Sequence, residues 1–142
     1  MNLREIMSRS LFTVAPKASV TEAAKLMRTH NIGAIPVVDG KKIVGILTDR
    51  DLVLRTLAED KEAGSLTVSD VMSRELVLGH PEMDVHEAAE LMANEQIRRL
   101  PVVDGGALVG MVALGDLAVE APYENEAGSA LGEISQPSRP LM

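Results

Sequence analysis

Residues Met7 to Leu52 return 65 positions later without a gap, and no other feature constrains the fold of this chain as strongly. Met7-Ser8-Arg9 falls on Met72-Ser73-Arg74, Glu22-Ala23-Ala24 on Glu87-Ala88-Ala89, and Leu26-Met27 on Leu91-Met92. Further on, Pro36-Val37-Val38-Asp39-Gly40 falls on Pro101-Val102-Val103-Asp104-Gly105, Val44-Gly45 on Val109-Gly110, and Asp51-Leu52 on Asp116-Leu117. About 21 of roughly 46 aligned positions are identical, where chance gives only a few. A unit of roughly 55 to 60 residues is a marginal folder by itself, so the copies are expected to fold against one another.

Each copy reads as the same series of elements. A short helical turn (Leu3 to Met7, Val68 to Met72) leads to an extended segment ending at Pro16 or Pro81, which cannot donate a ladder hydrogen bond. Ser19-x-x-Glu22 and Asp84-x-x-Glu87 then mark helix starts, with an N-cap acceptor followed three residues later by a carboxylate. Behind the caps, Val20, Ala23, Ala24 and Met27 recur at i, i+3, i+4 and i+7, as do Val85, Ala88, Ala89 and Met92. Ile35 to Val38 and Ile43 to Leu47 flank Asp39-Gly40, and Leu100 to Val103 and Leu108 to Val112 flank Asp104-Gly105, which predicts two β-hairpins. A second helix closes each copy, over about Asp49 to Leu57 and about Gly115 to Val119. The boundaries are 1–60 for the first repeat, with a charged linker over 58–66 at its end, 67–120 for the second, and 121–142 for a tail. That tail carries Pro122, Pro137 and Pro140 and one helical stretch near Asn125 to Ile134. The fold class is mixed α/β (α+β), built from tandem β-α-β-β-α repeats.

Composition closes off several function classes. A net charge of −7 is wrong for gripping a nucleic-acid backbone over a broad basic face, and two aromatics, Phe12 and Tyr123, make no base-stacking platform. No apolar run is long enough to span a membrane, and no leader segment is legible at the N-terminus. The absence of cysteine removes disulfides, thiolate nucleophiles and cysteine-bound metals together. A soluble, cytoplasmic protein without nucleic-acid or membrane partners is the expectation. His30, His80 and His86 do not recur between copies and lack metal-ligand spacing, so no metal site is expected. No phosphate loop, nucleophile turn or Cys-His pair is present, and no catalysis is predicted.

Two clusters stand out at the residue level. Thr48-x-x-Asp51 is a helix cap with an acid in the first turn, and free amides at such a helix start also favour a phosphate. Arg98-Arg99, just before a strand, reads either as a solvated basic pair or as a forked donor for phosphate oxygens. Lys41-Lys42 at a hairpin tip is solvated.

With its Pro-Val-Val-Asp-Gly hairpin and the following Gly45-Ile46-Leu47-Thr48-Asp49-Arg50-Asp51, the chain resembles the CBS domain, named for cystathionine β-synthase, over about residues 1 to 120. That resemblance implies a pseudo-two-fold pair of repeats, the Bateman module, and its association into a homodimer. It also implies an adenosine-containing ligand, such as AMP, ADP, ATP, S-adenosylmethionine or NAD(H), in clefts between repeats. Carried over by position, Thr48 and Asp51 match the hydroxyl near ribose or phosphate and the carboxylate that bonds ribose hydroxyls. Ala34, Ile35 and Pro36 match the strand lining the base, and Thr13 the position meeting the adenine edge. Asp116 keeps the carboxylate in the second copy, where Ala113 replaces the hydroxyl, and Arg98 and Arg99 match positions that reach phosphates in some members.

The expected function is therefore a non-catalytic regulatory sensor that needs no cofactor and takes an adenine nucleotide or S-adenosylmethionine as a regulatory ligand. Its rival is a ligand-free interaction protein that acts by dimerising and recruits a protein target through the tail around Tyr123 to Ile134.

Overall fold

The computed structural model describes residues 1–118. The expected tail at 121–142, with its helix near Asn125 to Ile134, lies outside the described residues. Helices α1 (Leu3–Ile6), α2 (Val20–His30) and α3 (Asp49–Arg55) belong to the first repeat, with strands β1 (Ala34–Asp39) and β2 (Lys42–Thr48). The second repeat supplies α4 (Val68–Val71), α5 (Val85–Glu95), β3 (Arg99–Asp104), β4 (Ala107–Ala113) and α6 (Leu114–Ala118). Between the repeats the chain makes two short 3-10 turns, Leu57–Glu59 and Ala63–Ser65.

The structure divides into two compact units that do not coincide with the repeats. One comprises residues 11–76 with the hairpin tip 105–108, and is called the first unit below; the second comprises 1–10, 77–104 and the chain from Val109. The N-terminal helices are thus exchanged. Leu3 and Met7 of the first repeat are buried among Val85, Ala88, Met92, Leu100, Val102, Val112 and Leu117 of the second. Val68, Val71 and Met72 are buried among Val20, Ala23, Met27, Ile35, Val37 and Leu47 of the first repeat.

Both predicted N-cap acceptors are used, without a return bond from Glu22 or Glu87 among the described residues. Ser19 Oγ accepts the Glu22 N–H at 3.0 Å, whereas the Asp84 carboxylate takes the nearer His86 N–H at 3.0 Å. On α2, Val20, Ala23 and Met27 are buried but Ala24 is exposed, while its counterpart Ala89 on α5 is buried. At about 100° per residue Ala24 sits on the edge of the apolar stripe, so a small roll of the helix uncovers it.

Strands β1 and β2 pair antiparallel from Ala34 opposite Thr48 to Asp39 opposite Lys42, with an irregularity between Val37 and Val38. Positive φ at Gly40 (65°), and at both Gly105 (58°) and Gly106 (84°), closes two-residue loops that a side chain would strain. The extended segment before each proline forms only a single bridge, Val14 to Val37 and Gly79 to Val102, both parallel. It is shorter than a strand, because Pro16 and Pro81 end the ladder two residues later.

Gly45 of β2 and Gly110 of β4 each receive the end of an exchanged helix. A Cβ on Gly45 would lie 2.6 Å from Met72 Sδ and 2.9 Å from the Ser73 carbonyl oxygen. One on Gly110 would lie 2.5 Å from Met7 Sδ and 3.1 Å from the Ser8 carbonyl oxygen. The chain after each methionine then bonds to the strand: Ser73 N–H donates to Ile46 O at 2.8 Å, and Ser8 N–H to Met111 O at 2.9 Å.

Candidate functional site

The first unit assembles a polar corner at the C-terminal end of β2. Register places Ala34 of β1 directly across from Thr48, the N-cap of α3. Thr48 Oγ1 accepts the Asp51 N–H at 3.1 Å, and Asp51 Oδ2 accepts the Thr48 N–H at 3.0 Å, a reciprocal capping box. This fixes the Asp51 rotamer and leaves its side chain 12% exposed. The second carboxylate oxygen, Oδ1, receives Ser73 Oγ at 3.4 Å and lies 3.8 Å from Arg55 Nε.

The expectation that free amides at the start of α3 await a phosphate is not met. Asp49 N–H donates to Gly33 O at 3.0 Å, Arg50 N–H to Asp49 Oδ1 at 2.8 Å, and Asp51 N–H to Thr48 Oγ1. A backbone carbonyl, a carboxylate and a hydroxyl have satisfied the first turn internally, and what the corner offers outward is acceptor capacity. Acceptors without free amides suit the hydroxyls of a sugar better than a phosphate.

The residues expected to line a base lie along β1. Val14 N–H donates to Pro36 O at 3.2 Å and Val38 N–H to Val14 O at 2.9 Å, which sets the exposed Thr13 beside the strand Ala34–Pro36. Ile35 has no exposed surface and packs into the core, so that position presents backbone rather than side chain. Ala34 is half-buried and Pro36 buried.

The second unit repeats this corner with different groups. Asp116 Oδ2 accepts the Ala113 N–H at 2.7 Å, but Ala113 has no hydroxyl to return, so only half of the box forms. Leu114 N–H donates to Arg98 O at 2.8 Å, as Asp49 does to Gly33 O. Gly33 with Asp49 is thereby replaced by Arg98 with Leu114. A Cβ at Gly33 would come within 3.1 Å of Asp49 Oδ2. Arg98 and Arg99 are both exposed, and neither pairs with a carboxylate among the described residues.

Ser73 and Arg55 were not singled out in the sequence, although each left a trace. Ser73 recurs as Ser8 in the duplication, and Arg55 stands four residues after Asp51, the spacing of an ion pair on one helix face. Among the described residues no cluster of three or more His, Cys, Asp or Glu could hold a metal ion, and no helix is long and apolar enough to cross a membrane.

The family model described as "CBS domain" matches residues 3–57 and again 68–122. The chain belongs to the CBS-domain family. Its tandem CBS repeats are 52% identical over 134 residues to the CBS domain-containing protein YhcV of Bacillus subtilis, covering 94% of this chain and 95% of that one. They are 42% identical over 110 residues to the inosine-5'-monophosphate dehydrogenase of Korarchaeum cryptofilum, covering 77% of this chain but 22% of that enzyme. Among solved structures, the CBS domain pair of protein MJ0100, in complex with 5'-methylthioadenosine and S-adenosyl-L-methionine, superposes with a TM-score of 0.75. It is 31% identical, and the match covers 87% of this chain and 98% of that one. The CBS fold read from the duplication is therefore present, as a mixed α+β structure with two hairpins and the helices around them.

Proposed function

We propose that this protein is a non-catalytic regulatory module whose first unit binds an adenosine-containing ligand, with Asp51 accepting the ribose hydroxyls. The observation that carries this reading is the Thr48–Asp51 box. It holds a carboxylate in one orientation at the end of β2, across from the start of β1, the strand that Thr13 lies beside. A vicinal diol needs such an acceptor, fixed in advance, because a bond made by a mobile side chain is weakened by the entropy of ordering it. The strand residues Ala34, Ile35 and Pro36, with Thr13, then line the base, Ile35 through its backbone alone. In the second unit Asp116, with Arg98 and Arg99 as cations, forms a weaker counterpart that lacks the hydroxyl. The MJ0100 pair, bound to two adenosine derivatives, supports the ligand class. Regulation follows by linkage, since a ligand can shift a conformational or assembly equilibrium only by its difference in affinity between states. The homodimer and the cytoplasm are part of the same proposal.

Calorimetric titration of the protein with AMP, ADP, ATP, S-adenosylmethionine and NADH tests the ligand class. Saturable heat from at least one compound is expected. Silence across the panel from folded protein removes the reading and leaves the alternative, a ligand-free interaction module.

A further inference from the structure

We infer that Ser73 and Arg55 are positioning residues of the ribose site, acting through Asp51. The inference rests on the reading of Asp51 as the diol acceptor and adds which groups aim it. Capping accounts for one carboxylate oxygen, Oδ2, which is taken by the Thr48 amide. Oδ1 is the oxygen left for a ligand, and it is also the one that Ser73 Oγ reaches at 3.4 Å and Arg55 Nε approaches at 3.8 Å.

Neither partner is placed by chance contact. Ser73 is locked to β2 by a pair of backbone bonds with Ile46, at 2.8 and 2.9 Å, so its hydroxyl can swing but its Cα cannot move away. Arg55 is held at its far end, where Nη1 donates to the carbonyls of Met72 at 3.1 Å and Val71 at 3.4 Å. The guanidinium therefore spans from the α4 turn to the carboxylate and keeps a positive charge beside Oδ1. A carboxylate oxygen has lone pairs for more than one donor, so Ser73 and a ribose hydroxyl can share Oδ1.

The second unit lacks this arrangement. Ser8 is bonded to Met111 through its backbone in the same way, yet its hydroxyl makes no bond to Asp116 among the described residues. The position matching Arg55 is Glu120, outside the described residues and of opposite charge. Among the described residues, Asp51 alone is thus aimed by three groups.

The test compares adenosine with 2',3'-dideoxyadenosine, and AMP with its 2',3'-dideoxy form, by calorimetry on the full chain. Wild type, Ser73→Ala, Ser73→Thr and Arg55→Gln are titrated, with thermal unfolding recorded for each. Ser73→Ala and Arg55→Gln are expected to weaken the ribose compound by about tenfold and leave its dideoxy partner unchanged, so that the preference for the diol collapses. Ser73→Thr, which keeps the hydroxyl, restores it. A preference for the diol that survives both substitutions, or an equal loss for the ribose and dideoxy compounds, overturns the role of these residues while leaving the adenosine site standing. Wild-type protein that binds neither compound overturns the site itself.

Discussion

Gly45 shows how little room the residue scale leaves around the site. Its missing side chain is filled by Met72, and the adjoining Ser73 carbonyl is a backbone atom that cannot rotate aside. Gly45→Ala is expected to destabilise the protein by ~1–3 kcal/mol, as overpacking does, measured by denaturant unfolding. Gly45 was visible in the sequence only as a repeated Val-Gly within a strand, a signal of close backbone approach without a partner. Its partner, the residue that caps α4, lies 27 residues later, and no local pattern encodes that distance. The same holds for Ser73, which reaches Asp51 across 22 residues. Thr48 and Asp51 were legible because a capping box is local, three residues from end to end. The occupied amides of α3 were not, since they depend on Gly33 O and on the rotamer of Asp49.

At the scale of elements, α4 has four residues and cannot persist on propensity alone, so it rests on its cap and its buried face. The Thr67 amide and hydroxyl donate to the Asp70 carboxylate at 2.9 and 3.1 Å, and these bonds, the backbone one first, hold its pKa below the ordinary Asp value. A carboxylate depressed in the folded state stabilises it above the unfolded pKa of about 3.9, and that contribution is lost as pH falls through the lower folded value. Acid unfolding monitored by circular dichroism is therefore expected to be less steep below about pH 4 in Asp70→Asn than in the wild type. The starts of α2 and α5 and both hairpins were legible within a residue or two, because caps, alanine stripes and Asp-Gly turns are all short-range. The brief extended segment before each proline was legible too, and the proline that defines its end limits it to one bridge.

At the scale of the whole molecule, the exchange of α1 and α4 ties each repeat to the other's core. The duplication announced two equal copies, but equal copies cannot say which α-turn docks in which core, since both present the same Met-Ser-Arg ending. Leu3→Ala separates the possibilities: truncating a fully buried leucine costs about 2–5 kcal/mol. The resulting loss of hydrogen-exchange protection is expected in α5 and β3, in the second unit, rather than in α2 and β1 of Leu3's own repeat. Under the proposed function the same asymmetry between copies sets which site binds, because the scaffold recurs while Thr48, Ser73 and Arg55 surround Asp51. The most direct measurement is a parallel calorimetric titration of wild type, Asp51→Asn and Asp116→Asn with the tightest compound of the adenosine panel. Asn keeps an acceptor for the cap but removes the charge, so Asp51→Asn should weaken binding by roughly tenfold or more while Asp116→Asn changes it less. Undiminished binding in Asp51→Asn, or a larger loss in Asp116→Asn, would contradict the account.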